Sequence, residues 1–257
     1  MPWAAEVYQR PNSAQESHLK YGAPEKPQLR LVFCKPQGMN TPLSRRRFVH
    51  TIVAATASTH VSRPVFQTAL SPEAALNELI DGNRRYLTGN ITAHEHDVQV
   101  LKAKTAEKQE PFAAVLSCAD SRVPVEVVFD QTIGHVFVCR LAGNITTPEV
   151  IASLEYGAAV LGIKAIMVLG HSNCGAVAAA IKGSAVPGQI SALYPRIRPA
   201  VDQAGSNAEA ATKANARIQA ALLSEGSTVI SGLVKDNKIK VVAGYYDVTN
   251  GRVSLID

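Results

Sequence analysis

Three side chains in this sequence are of the kinds that hold a soft metal ion. Cys118 lies in Ser117-Cys118-Ala119-Asp120-Ser121-Arg122, and His171 and Cys174 lie in Gly170-His171-Ser172-Asn173-Cys174-Gly175. Zinc takes Cys sulfur and His nitrogen in tetrahedral sites, and a catalytic site keeps three protein ligands so that water can occupy the fourth position. Asp120 stands two positions after Cys118, and Arg122 two after that. An arginine can grip a carboxylate through two parallel N–H bonds, a planar fork that lysine does not possess. Two thiols, an imidazole and an oriented carboxylate are the parts of a zinc reaction centre rather than of a structural clip.

These residues need elements that bring them together. Phe112-Ala113-Ala114-Val115-Leu116-Ser117 is a short apolar run that reads as a buried strand with Cys118 at its carboxyl end. Ala165-Ile166-Met167-Val168-Leu169-Gly170 is a second such run, ended by His171, and Cys174 to Ile181 opens a helix. In open parallel α/β sheets, sites form at the carboxyl ends of strands, so two parallel strands can join ligands that lie far apart in sequence. Val136 to Arg140 predicts another strand, Pro148 to about Leu161 a helix, and about Ile190 to Leu233 alanine-rich helices. Lys240 to Val248 and Arg252 to Ile256 flank Asn250-Gly251, a hairpin signal. Ser71 caps a helix whose first turn holds Pro72 and Glu73, with Ala75, Leu76, Leu79 and Ile80 as its apolar stripe. The predicted fold class is α/β: a central, mainly parallel β-sheet flanked by helices, with an antiparallel strand at the edge.

At this point the chain resembles the β-class carbonic anhydrases. The likeness is carried by Ser117 to Pro124, by Val138-Cys139-Arg140-Leu141-Ala142-Gly143-Asn144, and by Gly170 to Val177. Ala75 to Tyr86, Ser153 to Gly157 and Val241 to Asp247 agree as well, so it runs from about residue 70 to the end. The resemblance implies one Zn2+ per chain on Cys118, His171 and Cys174, and reversible hydration of carbon dioxide to bicarbonate and a proton. It implies an Asp120–Arg122 dyad that orients the attacking water, and a backbone N–H of Gly175 offered to substrate at a helix start. In some relatives the aspartate leaves its arginine and ligates zinc, closing the site, and this sequence allows Asp120 both roles. The tryptophan that helps form an inhibitory bicarbonate pocket in some members has no counterpart, since the only tryptophan is Trp3. A homodimer or higher homo-oligomer is implied too, with the first helix packed on a partner subunit.

Other readings of the same residues remain. The zinc scaffold could hydrolyse carbonyl sulfide or carbon disulfide, could be non-catalytic, or Cys118 could serve a sulfurtransferase as nucleophile. The last leaves the His171–Cys174 segment without purpose, and the intact Asp120–Arg122 pair speaks against the second. Four cysteines could form two disulfides, but this is not a small loop-rich chain, and Cys118 and Cys174 are better used as ligands. Cys139 reads as an inert buried strand thiol. His135 could shuttle protons or be an exposed loop histidine; His94 and His96 could hold a metal with Asp97 or mark a solvated helix start. Gly175 could equally serve close packing, and Tyr245 and Tyr246 read as strand packing.

Charge divides the chain. Of 26 basic and 21 acidic residues, residues 1–69 hold nine and three, leaving 17 and 18 in residues 70–257. The folded body thus has no net basic character, which argues against nucleic-acid binding. Ser44-Arg45-Arg46-Arg47-Phe48-Val49 resembles a twin-arginine export motif, and Ala55-Thr56-Ala57 offers a cleavage site before Ser58. The expected organisation is 1–38 as a disordered extension or an upstream start assignment, 39–57 as the signal segment and 58–69 as linker. Residues 70–257 form the catalytic domain. A periplasmic location follows, with a cytoplasmic one as the alternative. The apolar part of the signal is too short to be an integral membrane segment.

Overall fold

Ser71 caps the first helix as its place before Pro72 predicts: its Oγ accepts from Ala74 N at 3.1 Å. The computed structural model describes residues 68–93 and 108–257. The predicted signal segment and linker up to residue 67, with Trp3 and Cys34, lie outside the described residues, as do His94, His96 and Asp97. In chain order the elements are α1 (Pro72–Thr88), β1 (Ala113–Ser117), α2 (Val125–Val128), β2 (Val136–Arg140) and a 3₁₀ turn at Ala142–Asn144. There follow α3 (Pro148–Tyr156), β3 (Ala165–His171), α4 (Gly175–Lys182), α5 (Tyr194–Ala204), α6 (Ala208–Ala221) and α7 (Thr228–Lys235). The chain closes with β4 (Lys240–Tyr246) and β5 (Val253–Ile256).

The strands form one sheet in the order β2-β1-β3-β4-β5, parallel except for the antiparallel β4–β5 pair. Every residue of β1 and β3 is buried, as expected for strands covered on both faces. Their side chains divide by the two-residue period of a strand. Ala113, Val115, Ala165, Met167 and Leu169 pack with Ala75, Leu76 and Leu79 of α1 and with Val125, Val128 and Phe129 around α2. Ala114, Leu116, Ile166 and Val168 pack with Leu154 of α3, Ala216 and Ala220 of α6 and Ile230 of α7. Truncating a fully buried member such as Leu79 to alanine should cost about 2–5 kcal/mol.

The apolar stripe of α1 is therefore used on this chain's own sheet, and any partner contact has to use the rest of that helix. Gly82 lets α1 approach closely: a Cβ there would lie 1.8 Å from Phe129 O. Its neighbour Asn83 is buried and fully engaged. Nδ2 donates to Val128 O and Gly251 O, both at 3.0 Å, and Oδ1 accepts from Val253 N at 2.9 Å. Beside it Arg85 Nε donates to Asp130 Oδ2 at 2.5 Å, and Asp130 Oδ1 accepts from the N–H groups of Thr92 and Ala93, both at 2.9 Å. Burial alone would raise the Asp130 carboxyl, but these donors outweigh it and hold it at about 2.

Three sequence expectations are corrected in detail. The helix predicted from Pro148 to Leu161 changes to a π turn over Gly157–Leu161, where Gly157 sits against Phe137 and Ile163 and Gly162 takes a φ of 74°. β4 stops at Tyr246 rather than Val248. Asp247 builds the turn instead, accepting from Thr249 N at 2.9 Å and Asn250 Nδ2 at 2.8 Å. Cys139 is half-buried rather than buried, because β2 is an edge strand of the sheet; what burial it has raises its thiol. No helix among the described residues is long and apolar enough to cross a membrane.

Candidate metal centre

β1 and β3 are hydrogen-bonded neighbours in parallel register, with Ser117 opposite Leu169. The register brings Cys118, just past β1, to the same sheet end as His171, the last residue of β3. Cys174 follows as the N-cap of α4. The sulfur atoms of Cys118 and Cys174 and a ring nitrogen of His171 all lie within 4.8 Å of one another, and all three residues are buried. A third apolar cluster, including Ile145, Val177, Ala180, Ile197 and Val201, surrounds the two cysteines.

The donor set fits a zinc ion on three observations. His171 Nδ1 lies 2.9 Å from Ser172 O. A carbonyl can only accept, so Nδ1 carries the proton and Nε2 presents its lone pair. That Nε2 is buried with no hydrogen-bond partner, an exception that calls for an explanation in a folded interior. The two thiols are shifted in opposite directions. A hydrogen bond from Cys174 pulls Cys118 down, and the same contact, with burial, pushes Cys174 up. A divalent cation between them removes the reason for that upward shift, since a coordinating thiol is deprotonated outright. The backbone N–H groups of Val177 and Ala176 at the start of α4 act in the opposite sense and lower the Cys174 thiol.

Asp120 and Arg122 meet as predicted. Arg122 Nε donates to Asp120 Oδ1 at 3.0 Å and Nη2 to Oδ2 at 2.8 Å, the bidentate fork; the Arg122 backbone N–H adds a third bond to Oδ1 at 2.9 Å. Nη2 also reaches Asn173 O at 3.2 Å, tying the loop after β1 to the loop after β3. The Arg122 hydrogen bonds hold the Asp120 carboxyl well below the usual carboxylate range, against a smaller upward push from burial. Oδ2 lies 4.0 Å from His171 Nε2, so the carboxylate borders the donor set. Of the two roles the sequence allows, this structure has Asp120 with its arginine rather than among the ligands.

Gly175 is exposed in the first turn of α4, and a Cβ there would meet nothing within 4 Å. Close packing is therefore not what requires glycine. His135 is an exposed turn residue after α2. Tyr245 and Tyr246 are buried in β4, with Lys213 Nζ 4.7 Å from the Tyr245 ring centroid. Two cavities of about 400 Å³ open elsewhere, at the amino end of β4 beside Glu73 and Lys240. Neither is lined by the Cys–His–Cys residues.

Sequence reasoning missed the residues that hold this end of the sheet. Arg140, the last residue of β2, donates through Nε to Cys118 O at 3.0 Å and through Nη2 to Asp120 O. Gly143 N–H donates to Cys118 Sγ at 3.3 Å. Asn144 is fully buried, at a φ of 43°, with neither side-chain polar atom paired. Asn215 and Gln219, inside a stretch that reads as alanine-rich helix, are buried behind the 143–146 loop. Their signal was available: Thr212, Asn215 and Gln219 recur at the spacing of the buried Ala216, Ala220 and Leu223.

Comparison with known proteins agrees with this geometry. The family model for carbonic anhydrase matches residues 113–253. Carbonic anhydrase 2 of Mycobacterium tuberculosis is 33% identical over 197 residues, 73% of this chain and 94% of that protein. The carbonic anhydrase of Mycolicibacterium smegmatis is 33% identical over 193 residues, 72% of this chain and 93% of its own. Among solved structures, Coccomyxa β-carbonic anhydrase in complex with acetazolamide has a TM-score of 0.55 at 25% identity, covering 70% of this chain and 86% of that one. A tetrameric β-carbonic anhydrase of Sordaria macrospora has the same fold, with a TM-score of 0.57 at 22% identity over 70% of this chain and 96% of its own.

Proposed function

This chain belongs to the β-class carbonic anhydrase family, and from that premise we propose that its Cys118–His171–Cys174 centre carries out the reversible hydration of carbon dioxide. The observation that carries the reading is the juxtaposition of three converging ligand atoms with a fork-held carboxylate on their border. When bound, zinc supplies Lewis acidity towards a water, tempered here because two thiolates cancel its formal charge.

The chain's own residues do the rest. Asp120 stays ionised because Arg122 holds it, so it accepts a proton contact at Oδ2 and does not donate one. An acceptor fixed in that position turns the nucleophilic oxygen so that its lone pair faces the substrate carbon. Arg122 keeps the carboxylate from rotating away, with Asn173 O as its second anchor. Gly175, with open space where a side chain would stand, offers its N–H at the head of α4 to an oxygen of carbon dioxide or bicarbonate. Ile145, Val177 and Ile197 pack with the two cysteines in one buried cluster and give the donor set apolar surroundings.

Stopped-flow hydration on the purified folded body, with metal content measured on the same sample, tests the reading. About one zinc per chain with rapid hydration is expected. Full activity after verified metal removal would sink it. Rates of sulfide release from carbonyl sulfide, measured alongside, separate the alternative substrate class. A homo-oligomer is part of the proposal, supported by the tetrameric relative from Sordaria macrospora, and sedimentation measures it. Export by the twin-arginine route is proposed from Arg45 and Arg46 alone. A reporter fused after Ser58 should reach the periplasm, and Arg45→Lys with Arg46→Lys should retain it inside, since the pair is read as an address and not as charge.

A further inference from the structure

The loop after β2 is tied to α6 by a chain of buried amides, and the chain ends on a ligand sulfur. Gly143 N–H donates to Cys118 Sγ at 3.3 Å, and Gly143 O accepts from Asn215 Nδ2 at 2.8 Å. Asn215 Oδ1 accepts from Gln219 Nε2 at 3.2 Å. Gln219 Nε2 also donates to Arg196 O at 3.0 Å, while its Oε1 accepts from Thr146 N at 2.8 Å and Thr146 Oγ1 at 2.7 Å. Arg196 closes the circuit through Nη1 to Thr146 O at 2.7 Å.

Asn215 and Gln219 are both 0% exposed. Burying an amide is costly unless its polar atoms are paired, and Gln219 uses both donor hydrogens and both acceptor sites. A helix that only had to cover the sheet would place alanine or leucine there, as α6 does at Ala216 and Ala220. What the two amides accomplish is to hold the loop at Gly143 O and at Thr146 N, on either side of Ile145. Between those points the loop is pressed against α4 and α5. At a φ of 75°, a Cβ on Gly143 would lie 2.8 Å from Ile197 Cδ1 and 3.3 Å from Ala176 Cβ. Ile197 and Ala176 thus hem in the Gly143 backbone, and among the described residues Asn215 is the side chain that holds the carbonyl of the same residue.

We infer that Asn215, braced by Gln219, is a positioning residue for the metal centre, holding Gly143 so that its N–H stays on the Cys118 sulfur. The inference rests on the reading of Cys118 as a zinc ligand. A sulfur that accepts an N–H bond has one lone pair occupied and the others fixed in direction, so the bond orients the ligand and moderates its electron donation. Partners of this kind, behind the ligands, typically carry about 10- to 100-fold in metal affinity or activity.

Asn215→Leu removes the donor at similar volume, and Gln219→Met removes the brace. Thr212→Val is the control: Thr212 is also buried on α6, but among the described residues its Oγ1 bonds within the helix, to Ala208 O at 2.8 Å. Zinc affinity is read by competition with a chromophoric chelator, and the cobalt-substituted proteins by their thiolate-to-cobalt absorption. Asn215→Leu should bind zinc about 10- to 100-fold more weakly and lower kcat with KM little changed. Its cobalt band should move to longer wavelength, because a sulfur relieved of its N–H donor is easier to oxidise. Gln219→Met should move the same readouts less, and Thr212→Val should lower Tm without moving either. Wild-type zinc affinity and an unmoved cobalt band in Asn215→Leu, or in Gln219→Met where the first does not fold, would overturn the inference. Both readouts are independent of carbon dioxide. A wild-type protein with the thiolate band but no hydration would sink the proposed function alone, and one without the band would sink both.

Discussion

Asn83 on one face of the sheet and Asn215 with Gln219 on the other do the same kind of work with the same chemistry, but they end in different places. Asn83 spends all three of its bonds on backbone groups far away in sequence: Val128, Gly251 and Val253. It closes α1 onto the hairpin, and no ligand of the metal centre is among its partners. The α6 amides likewise bond to backbone, yet the residue they hold carries an N–H that touches Cys118 Sγ. A buried amide is thus a fastening in one region and a route to the reacting end in the other. Both are buried and hydrogen-bonded, so the final partner is what tells them apart.

The largest effects should come from the ligands themselves. Cys118→Ser or Cys174→Ser should abolish both zinc binding and hydration, while the Asn83 fastening on the opposite face stays intact. Metal content together with stopped-flow rates checks this, and a zinc-loaded, active serine variant would remove the basis of the comparison. Next, Arg122→Ala should leave zinc bound and cut hydration by roughly 10- to 1000-fold, the range for loss of a preorganised polar contact. Arg122→Lys should recover little, lacking the fork. Full activity in either would make the pair a surface ion bridge.

Asn83→Ala sharpens the contrast from the other side. It leaves Val128 O, Gly251 O and Val253 N–H unpaired and should lower stability by about 2–4 kcal/mol, seen in denaturant unfolding. Zinc affinity and kcat of the folded fraction should not change; a loss of either would erase the distinction between the two regions. The smallest effect concerns acid. Asp130, held at about 2 against an ordinary carboxyl near 3.9, contributes stability that is complete above the ordinary value and is lost as pH falls through about 2. Arg85→Met removes a main donor, so the folded carboxyl rises and acid unfolding should begin at higher pH. An unchanged acid midpoint by circular dichroism would show that the Thr92 and Ala93 amides suffice.

The strands, the caps and the ligand set could be read from the chain because each is a local matter. Continuous apolar runs define β1 and β3, Ser71 before Pro72 defines a cap, and thiol, imidazole and carboxylate chemistry belongs to the residue wherever it lies. The Asp120–Arg122 pair was legible for the same reason, its members being two positions apart. Other features were set by neighbours distant in sequence. Gly157 faces Phe137 and Ile163, and Asp247 is recruited into the turn, so the third helix and the fourth strand end earlier than their local patterns predict. Asn215 and Gln219 are lost in a stretch that reads only as alanine-rich helix until the fold places them behind Gly143, 72 residues from Asn215. The sequence by itself determined which atoms could bind a metal and which segments would carry them. Only the tertiary structure decided which amide points at the sulfur, because a hydrogen bond is a matter of distance and direction between groups whose separation along the chain says nothing of either.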